Sequence, residues 1–428
     1  MRTLAFFSAI AIALALTTTA NPHDVHHPNK TTYSHLITES IMSRHQGILA
    51  SISDRSNLLQ AGFTQKAFRQ LIKQYPDHPS TPSIKTYIDA SIDSVVPVLY
   101  NATLDTTFPL DRLSSGNGLI YVYHESKNET YLHVIDALTQ SVQVQPKNAE
   151  GSLWYYTYPN YTYLDGMYSL APFLTLYSTS FNTTTSSFSS SNDDDSSLID
   201  DAIEQLDLAW QHTYQPSISL LVHGYDASKR AIWANNATGA SSIVWGRSLG
   251  WYCMSLIDML ELLPSSLTSS TPVQNARKWL SSHFRALMAG TLNAADAQTG
   301  AWWQVVDQPG REGNYIESSA SAMFVYSLLK GVRMGVLSDQ EGTVGAAVRA
   351  YDYLAGTFVV ENGNGTVGWN GTVSVCSLNS TATYEYYVGQ PILYNSVLGS
   401  VAFVLASLEY ERLGRHQGNK RFRNDLVL

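Results

Sequence analysis

Three short polar segments interrupt apolar stretches of this chain: Tyr163-Leu164-Asp165-Gly166-Met167-Tyr168, His223-Gly224-Tyr225-Asp226 and Val244-Trp245-Gly246-Arg247-Ser248-Leu249-Gly250-Trp251. Together they offer a carboxyl group, an imidazole, a flat indole and a guanidinium. A carboxyl group can give and take protons in general acid–base catalysis. A guanidinium fork matches a carboxylate with two parallel hydrogen bonds, and an aromatic face packs against the CH face of a pyranose. That is the set an acidic-sugar site needs. Each residue also has a commoner use. Asp165 before a glycine at a helix start is an ordinary N-cap. His223 is as easily a hydrogen-bonded core or loop histidine, Arg247 a structural ion-pair partner and Trp245 core filling.

The elements that must carry these residues are helices. Ile84, Tyr87, Ile88, Ile92 and Val95 recur at helical spacing behind Pro82, a residue suited to a first turn. Ile199, Ala202, Ile203 and Leu206 repeat the pattern. Leu249, Cys253, Leu256, Ile257, Leu260 and Leu263 form a stripe stopped by Pro264, and Ala320, Met323, Phe324 and Leu328 one stopped at Gly331. Ser338-Asp339-Gln340-Glu341 has the form of a capping box opening a helix with Val344, Ala347, Val348, Tyr351 and Leu354. Val397, Val401, Val404, Leu405 and Leu408 give the last clear helix, and strand-like alternation is confined to short pieces such as Gly365–Val375. About ten to twelve helices fit at ordinary helix and loop lengths. No fixed repeat period argues for a solenoid, so a closed helical toroid is expected. All three polar segments are expected at helix starts, where functional groups distant in sequence converge on one mouth.

Composition narrows the function classes. The chain has 428 residues, 44% hydrophobic, enough for one large core, and the 11% aromatics include 26 Tyr and 9 Trp. Net charge is −9 with 26 Lys+Arg and no basic run, which excludes a nucleic-acid groove. Arg2 and the apolar stretch Leu4–Leu16, followed by small residues to Ala20, predict a signal peptide over 1–20. That stretch is too short to span a bilayer, so a secreted protein without a membrane anchor is expected. Nine Asn-X-Ser/Thr sequons, at Asn29, Asn101, Asn128, Asn160, Asn182, Asn236, Asn364, Asn370 and Asn379, agree with a eukaryotic secretory route. Cys253 sits in an apolar helical stretch and reads as a core residue, so no dependence on a bridge to Cys376 is expected. Residues 21–35 are expected to be disordered, 36–415 to form one catalytic domain and 416–428 a tail. Phe181–Ser197 is a polar insertion suited to a surface loop.

With these motifs in order, the chain resembles the unsaturated rhamnogalacturonyl hydrolases of glycoside hydrolase family 105, related to the unsaturated glucuronyl hydrolases of family 88. The resemblance runs from about Asp111 to Glu411. It is strongest in Tyr163–Phe173, His223–Asp226, Trp245–Trp251, Gly313–Gly331 and Tyr384–Leu408. It implies an all-α, single-domain (α/α)6 barrel, in agreement with the helical periodicity. It also implies that Asp165 is the proton donor and that Asp111, in Leu110-Asp111-Arg112-Leu113-Ser114-Ser115-Gly116, is a second catalytic carboxylate. His223, Trp245, Arg247 and Tyr163 are then the substrate-binding set. One departure stands out: where related enzymes often carry a His and a Lys, this chain has Trp154-Tyr155-Tyr156.

The implied reaction is hydration of an enol ether. Polysaccharide lyases leave a C4=C5 double bond on a terminal uronic acid; protonation at C4 and addition of water at C5 give a hemiketal that expels the remaining sugar. A donor carboxyl must hold its proton at working pH, which a second carboxylate and an aromatic wall would favour. The expected partner is an unsaturated oligosaccharide acting on a monomer, and no metal or organic cofactor is implied. Two other readings stay open: an inverting hydrolase of saturated glycosides on the same toroid, and an inactive carbohydrate-binding homologue.

Overall fold

The computed structural model describes residues 32–424 apart from 53, 55, 182–197, 265–270 and 340–341, with side chains as far as 414. The predicted signal peptide, residues 21–31 of the predicted disordered segment and nearly all of the polar insertion lie outside the described residues. Fourteen α-helices are found among them: α1 (Tyr33–Ser43), α2 (Asn57–Gln74), α3 (Thr81–Val95), α4 (Ala102–Asp105), α5 (Gly116–Ser126), α6 (Glu129–Gln143), α7 (Asp165–Phe181), α8 (Leu198–Thr213), α9 (Gly246–Leu262), α10 (Thr271–Asn293), α11 (Ser318–Arg333), α12 (Thr343–Phe358), α13 (Tyr384–Val388) and α14 (Val397–Asn424). All but α4 and α13 are at least eleven residues long, so twelve long helices build the body.

Neighbour relations close them into a ring. Helices α2, α5, α7, α9, α11 and α14 touch in that order, and α14 returns to α2. The other long helices form an outer layer, α1 on α14 and α2, α3 on α2, α6 on α5, α8 on α7, α10 on α9 and α12 on α11. Outer and inner helices alternate along the chain, which is the (α/α)6 arrangement. The sequence writes the two layers differently. Inner α9 has fifteen of seventeen residues buried, while outer α12 buries only five of sixteen, a single stripe.

Eight short strands decorate the body as four antiparallel pairs: β1 (Tyr161–Tyr163) with β4 (Gly224–Asp226), β2 (Tyr214–Gln215) with β3 (Leu220–Leu221), β5 (Val359–Glu361) with β6 (Val367–Trp369), and β7 (Thr372–Val373) with β8 (Ile392–Leu393). Pairing of β1 with β4 matters most, because it places Tyr163 opposite Gly224. A Cβ on Gly224 would sit 2.3 Å from the Thr162 carbonyl oxygen, a distance no real Cβ tolerates. Gly224→Ala is therefore expected to force this pair apart, lowering both the melting temperature and turnover; native values for the variant would refute this role of the pairing.

Several boundaries differ from the sequence reading. Helix α1 starts at Tyr33, before the expected boundary at 36, and α14 runs to Asn424, so the expected tail from 416 is largely helical backbone. The Ser338–Glu341 capping box does not form the N-cap of α12. That position is Gly342, with φ of 74°, and Asp339 Oδ1 instead accepts from the Val344 amide at 2.8 Å. His223–Asp226 does not open a helix: it leads into and forms β4. Both cysteines are free and buried, as the apolar setting of Cys253 suggested.

Candidate active site

The N-terminal ends of the inner helices meet at one mouth of the toroid around a cavity of about 300 Å³. Asp165 is the first residue of α7, and Arg247 is in the first turn of α9, just after Trp245 at its N-cap. Asp111 lies in a 3-10 turn, Leu110–Ser115, that leads directly into α5. Leu59 of α2 and Leu398 of α14 bring two more helix ends to the wall. Five of the six residues singled out from the sequence line this one cavity: Asp111, Tyr163, Asp165, Trp245 and Arg247. The sixth, His223, stands immediately behind them.

Asp165 is held from one side. Ser248 Oγ donates to its Oδ2 at 2.6 Å, and His223 Nε2 lies 3.2 Å from the same oxygen, off the line of a hydrogen bond. His223 is fully buried; its Nδ1 is 2.6 Å from Tyr387 Oη, and its ring meets those of Tyr163 and Trp245. The imidazole therefore orients the carboxylate rather than the sugar, a change from the role expected of it. Oδ1 of Asp165 is left for whatever enters the cavity.

Asp111 has a different environment. Tyr155 Oη donates to its Oδ2 at 2.8 Å, and its buried Oδ1 has no hydrogen-bond partner among the described residues. Burial pushes its proton affinity up to about 7, the Tyr155 hydrogen bond opposes this, and the charge of Asp165 adds to it. Asp111 thus holds a proton near neutrality, with Asp165 acting on it, whereas the sequence reading had Asp111 acting on Asp165. The reason is depth: Asp111 is 4% exposed and faces the tyrosine wall.

The sign of the pH effect follows. An acid raised on folding contributes stability that is present below its ordinary value of about 3.9 and is lost as pH rises through about 7. Asp111→Asn is accordingly expected to melt higher than the parent by a margin that grows from pH 3 to pH 7, and so by more at pH 8 than at pH 5; the same difference at every pH would contradict the buried proton.

Aromatic rings make up the rest of the wall. Tyr155 stacks on Tyr163 with centroids 4.3 Å apart and 12° between planes, and Tyr158 continues the stack at 6.5 Å. Trp245, Trp251 and Tyr156 also line the cavity. Trp245 Nε1 donates to Gln304 Oε1 at 3.1 Å, and Gln304 Nε2 donates to the Tyr387 carbonyl at 3.0 Å, so one glutamine ties the indole to the histidine's partner. Cys376 also lines the cavity, but burial pushes its thiol up to about 12, which leaves no thiolate for nucleophilic work.

Arg247 departs from expectation. It lies on the wall, 4.8 Å from the Trp245 ring, but is only 1% exposed. Its Nη1 donates to the Val373 carbonyl at 2.6 Å and its Nη2 to the Ser374 carbonyl at 2.5 Å. Buried Glu317, which caps α11 through the Ala320 amide, is 4.0 Å from it. The guanidinium therefore pins the β7 segment to the helix ends and contributes positive charge, rather than an open fork. Sequence reasoning passed over Tyr155, Ser248 and Tyr387. Ser248 follows Arg247 directly and Tyr155 is in the segment that departs from the family, but their partners are visible only in the fold.

The sequence model of Glycosyl Hydrolase Family 88 matches residues 33–414. The chain belongs to that family. This glycoside hydrolase is 35% identical over 226 residues to Protein Atu3128 of Agrobacterium fabrum, covering 51% of this chain and 93% of that protein. Its fold is similar to that of a family 105 glycoside hydrolase from C. acetobutylicum ATCC 824, with a TM-score of 0.74 and 29% identity over 89% of this chain and all of that one. The unsaturated glucuronyl hydrolase of Bacillus sp. GL1 shares the helical barrel at a TM-score of 0.59 and 12% identity, covering 89% and 95% of the two chains. The hydrolase is therefore a single-domain helical barrel of the family 88/105 type.

Proposed function

We propose that this hydrolase removes an unsaturated uronic acid from the non-reducing end of lyase-cut rhamnogalacturonan fragments by hydrating the C4=C5 enol ether. The observation that carries the reading is the carboxyl pair: Asp111, protonated to about pH 7, and Asp165, aimed by Ser248 and His223, in one aromatic-walled cavity. In its acid form Asp165 gives a proton to C4, and positive charge develops at C5 and on the ring oxygen. Water adds at C5 and returns a proton to Asp165, so the site begins and ends with the same number of protons. The hemiketal then opens and releases the rest of the oligosaccharide. Neutral Asp111 offers a hydrogen bond to a ring hydroxyl where a second anion would repel the uronate.

Trp245 and the Tyr155–Tyr163 stack give flat faces for the sugar. Unsaturated galacturonyl-rhamnose is expected to be cleaved with a kcat/KM at least about tenfold above that of an unsaturated glucuronyl-hexosamine disaccharide, a discrimination of about 1.4 kcal/mol. The reverse order would overturn the rhamnogalacturonan assignment. The same proposal places the enzyme outside the cell. The leader-like stretch Leu4–Leu16 supports this, as does the exposure of Asn101, Asn128, Asn236, Asn364, Asn370 and Asn379, all in sequons. Protein collected from culture medium should lose mass on treatment with an endoglycosidase; unchanged mobility would count against a glycosylated secreted form. Among the described residues no helix is long and apolar enough to cross a membrane.

A further inference from the structure

The toroid has a second cavity, larger than the catalytic one, at about 540 Å³. It is lined by Lys73 near the end of α2, Glu125 of α5 and Glu261 near the end of α9, so it opens at the mouth where the inner helices finish. A layer of three packed rings divides the two cavities. Tyr168 faces the second cavity, Trp251 faces the catalytic one, and their centroids are 4.5 Å apart; Phe63 meets both, at 5.6 and 4.8 Å. Its size is that of a small-ligand site rather than a packing defect.

The polar chemistry of the wall is unfinished. Ser169 lines the cavity, is 2% exposed, and its Oγ has no hydrogen-bond partner among the described residues. Asn117 lines it too, and its buried Oδ1 is likewise unpartnered. Buried acceptors left in this state cost stability unless a donor arrives. A ligand that satisfies them must bring several O–H groups into one compact body.

The charges on the wall point away from an anion. Lys66 is paired with Asp258, Arg69 lies 3.5 Å from Glu125 with its guanidinium 4.2 Å from the Tyr121 ring, and Lys85 is 3.5 Å from the same glutamate. Four carboxylates, Asp89, Glu125, Asp258 and Glu261, match four cations on the wall, Lys66, Arg69, Lys73 and Lys85. The rings of Tyr121 and Tyr168 supply flat apolar faces. We propose that this cavity is a second binding site, for a neutral mono- or disaccharide whose hydroxyls donate to Asn117 and Ser169. It rests on this wall alone and stands whatever bond the catalytic cavity cleaves.

Calorimetric titration of the full secreted chain with L-rhamnose, D-galactose, D-glucose and D-galacturonate tests it. At least one neutral sugar is expected to bind, and to bind about tenfold more weakly to Asn117→Leu and to Ser169→Val, at a melting temperature no lower than the parent's and unchanged turnover of the enzyme's substrate. Ser169→Thr, which restores the hydroxyl, is expected to recover the binding and guards against a folding artefact. Four results would overturn the proposal: no neutral sugar binds, binding is indifferent to both substitutions, Ser169→Thr fails to recover it, or D-galacturonate binds more tightly than the neutral sugars.

Discussion

Asp165→Asn is expected to lower kcat by about 10²–10⁴-fold, the range a positioned general acid–base group contributes, while substrate affinity stays within a few-fold of the parent. The reason lies in the geometry. An amide keeps the shape that Ser248 and His223 hold but has no proton to give an alkene carbon and no anionic oxygen to take one from water. The loss therefore falls on the chemical step, and calorimetry of the variant with an unsaturated disaccharide should show nearly native binding. Ser248→Ala and Tyr387→Phe remove positioning contacts only and should cost less, chiefly in kcat. If Asp165→Asn turned over substrate at a near-native rate, the carboxyl at 165 would not be the group that moves the proton.

The second large effect concerns the body of the toroid. Lys330→Met is expected to destabilise the fold by about 3–5 kcal/mol, the cost of breaking a buried ion pair by removing one partner. Lys330 is 1% exposed, and its Nζ donates to Asp258 Oδ1 at 2.7 Å and Tyr326 Oη at 2.9 Å, with Glu261 Oε2 also 2.7 Å away. Burial works to raise the proton affinity of Asp258, yet Lys330 and Lys66 overcome it and hold this carboxyl at about 2. A carboxyl depressed in this way adds stability that is present above its ordinary value of about 3.9 and is lost as pH falls through about 2. The variant should lose that plateau, and its denaturant midpoint should respond to acid at a higher pH than the parent's. Lys85→Met, at a half-exposed pair with Glu125, is the control, expected to change stability by about 1 kcal/mol or less. Equal midpoints for the two variants would show that the buried network does not hold the inner ring together.

The architecture was legible because inner and outer helices leave different marks. Stripes through α9, α11 and α14 are interrupted by few polar residues, as helices buried all round require, and Asp165, Trp245 and Arg247 at the starts of α7 and α9 were found from the polar residues that break those runs. His223 was misplaced on a helix because His223-Gly224-Tyr225-Asp226 has no alternation; the strand it leads into is made by pairing with β1 on one side and with the backbone around Ala240 on the other. The capping box failed because the N-cap is Gly342, four residues beyond the Ser338 that the box would have used. The partners that set the site's chemistry were beyond sequence reasoning: Ser248 meets Asp165 across 83 residues, Tyr155 meets Asp111 across 44, and Tyr387 meets His223 across 164. Arg247 illustrates the same point. Its residue type suits a substrate carboxylate, but the carbonyls of Val373 and Ser374 claim its donors, and no local pattern announces them.

The proton that Asp165 is held to deliver can be followed directly. Incubation of the enzyme with an unsaturated rhamnogalacturonan disaccharide in deuterium oxide should bleach the ultraviolet absorbance of the C4=C5 bond and leave deuterium at C4 of the released uronic acid. Unchanged absorbance, with reducing sugar released instead from saturated glycosides, would contradict enol-ether hydration and assign the carboxyl pair to ordinary glycoside cleavage.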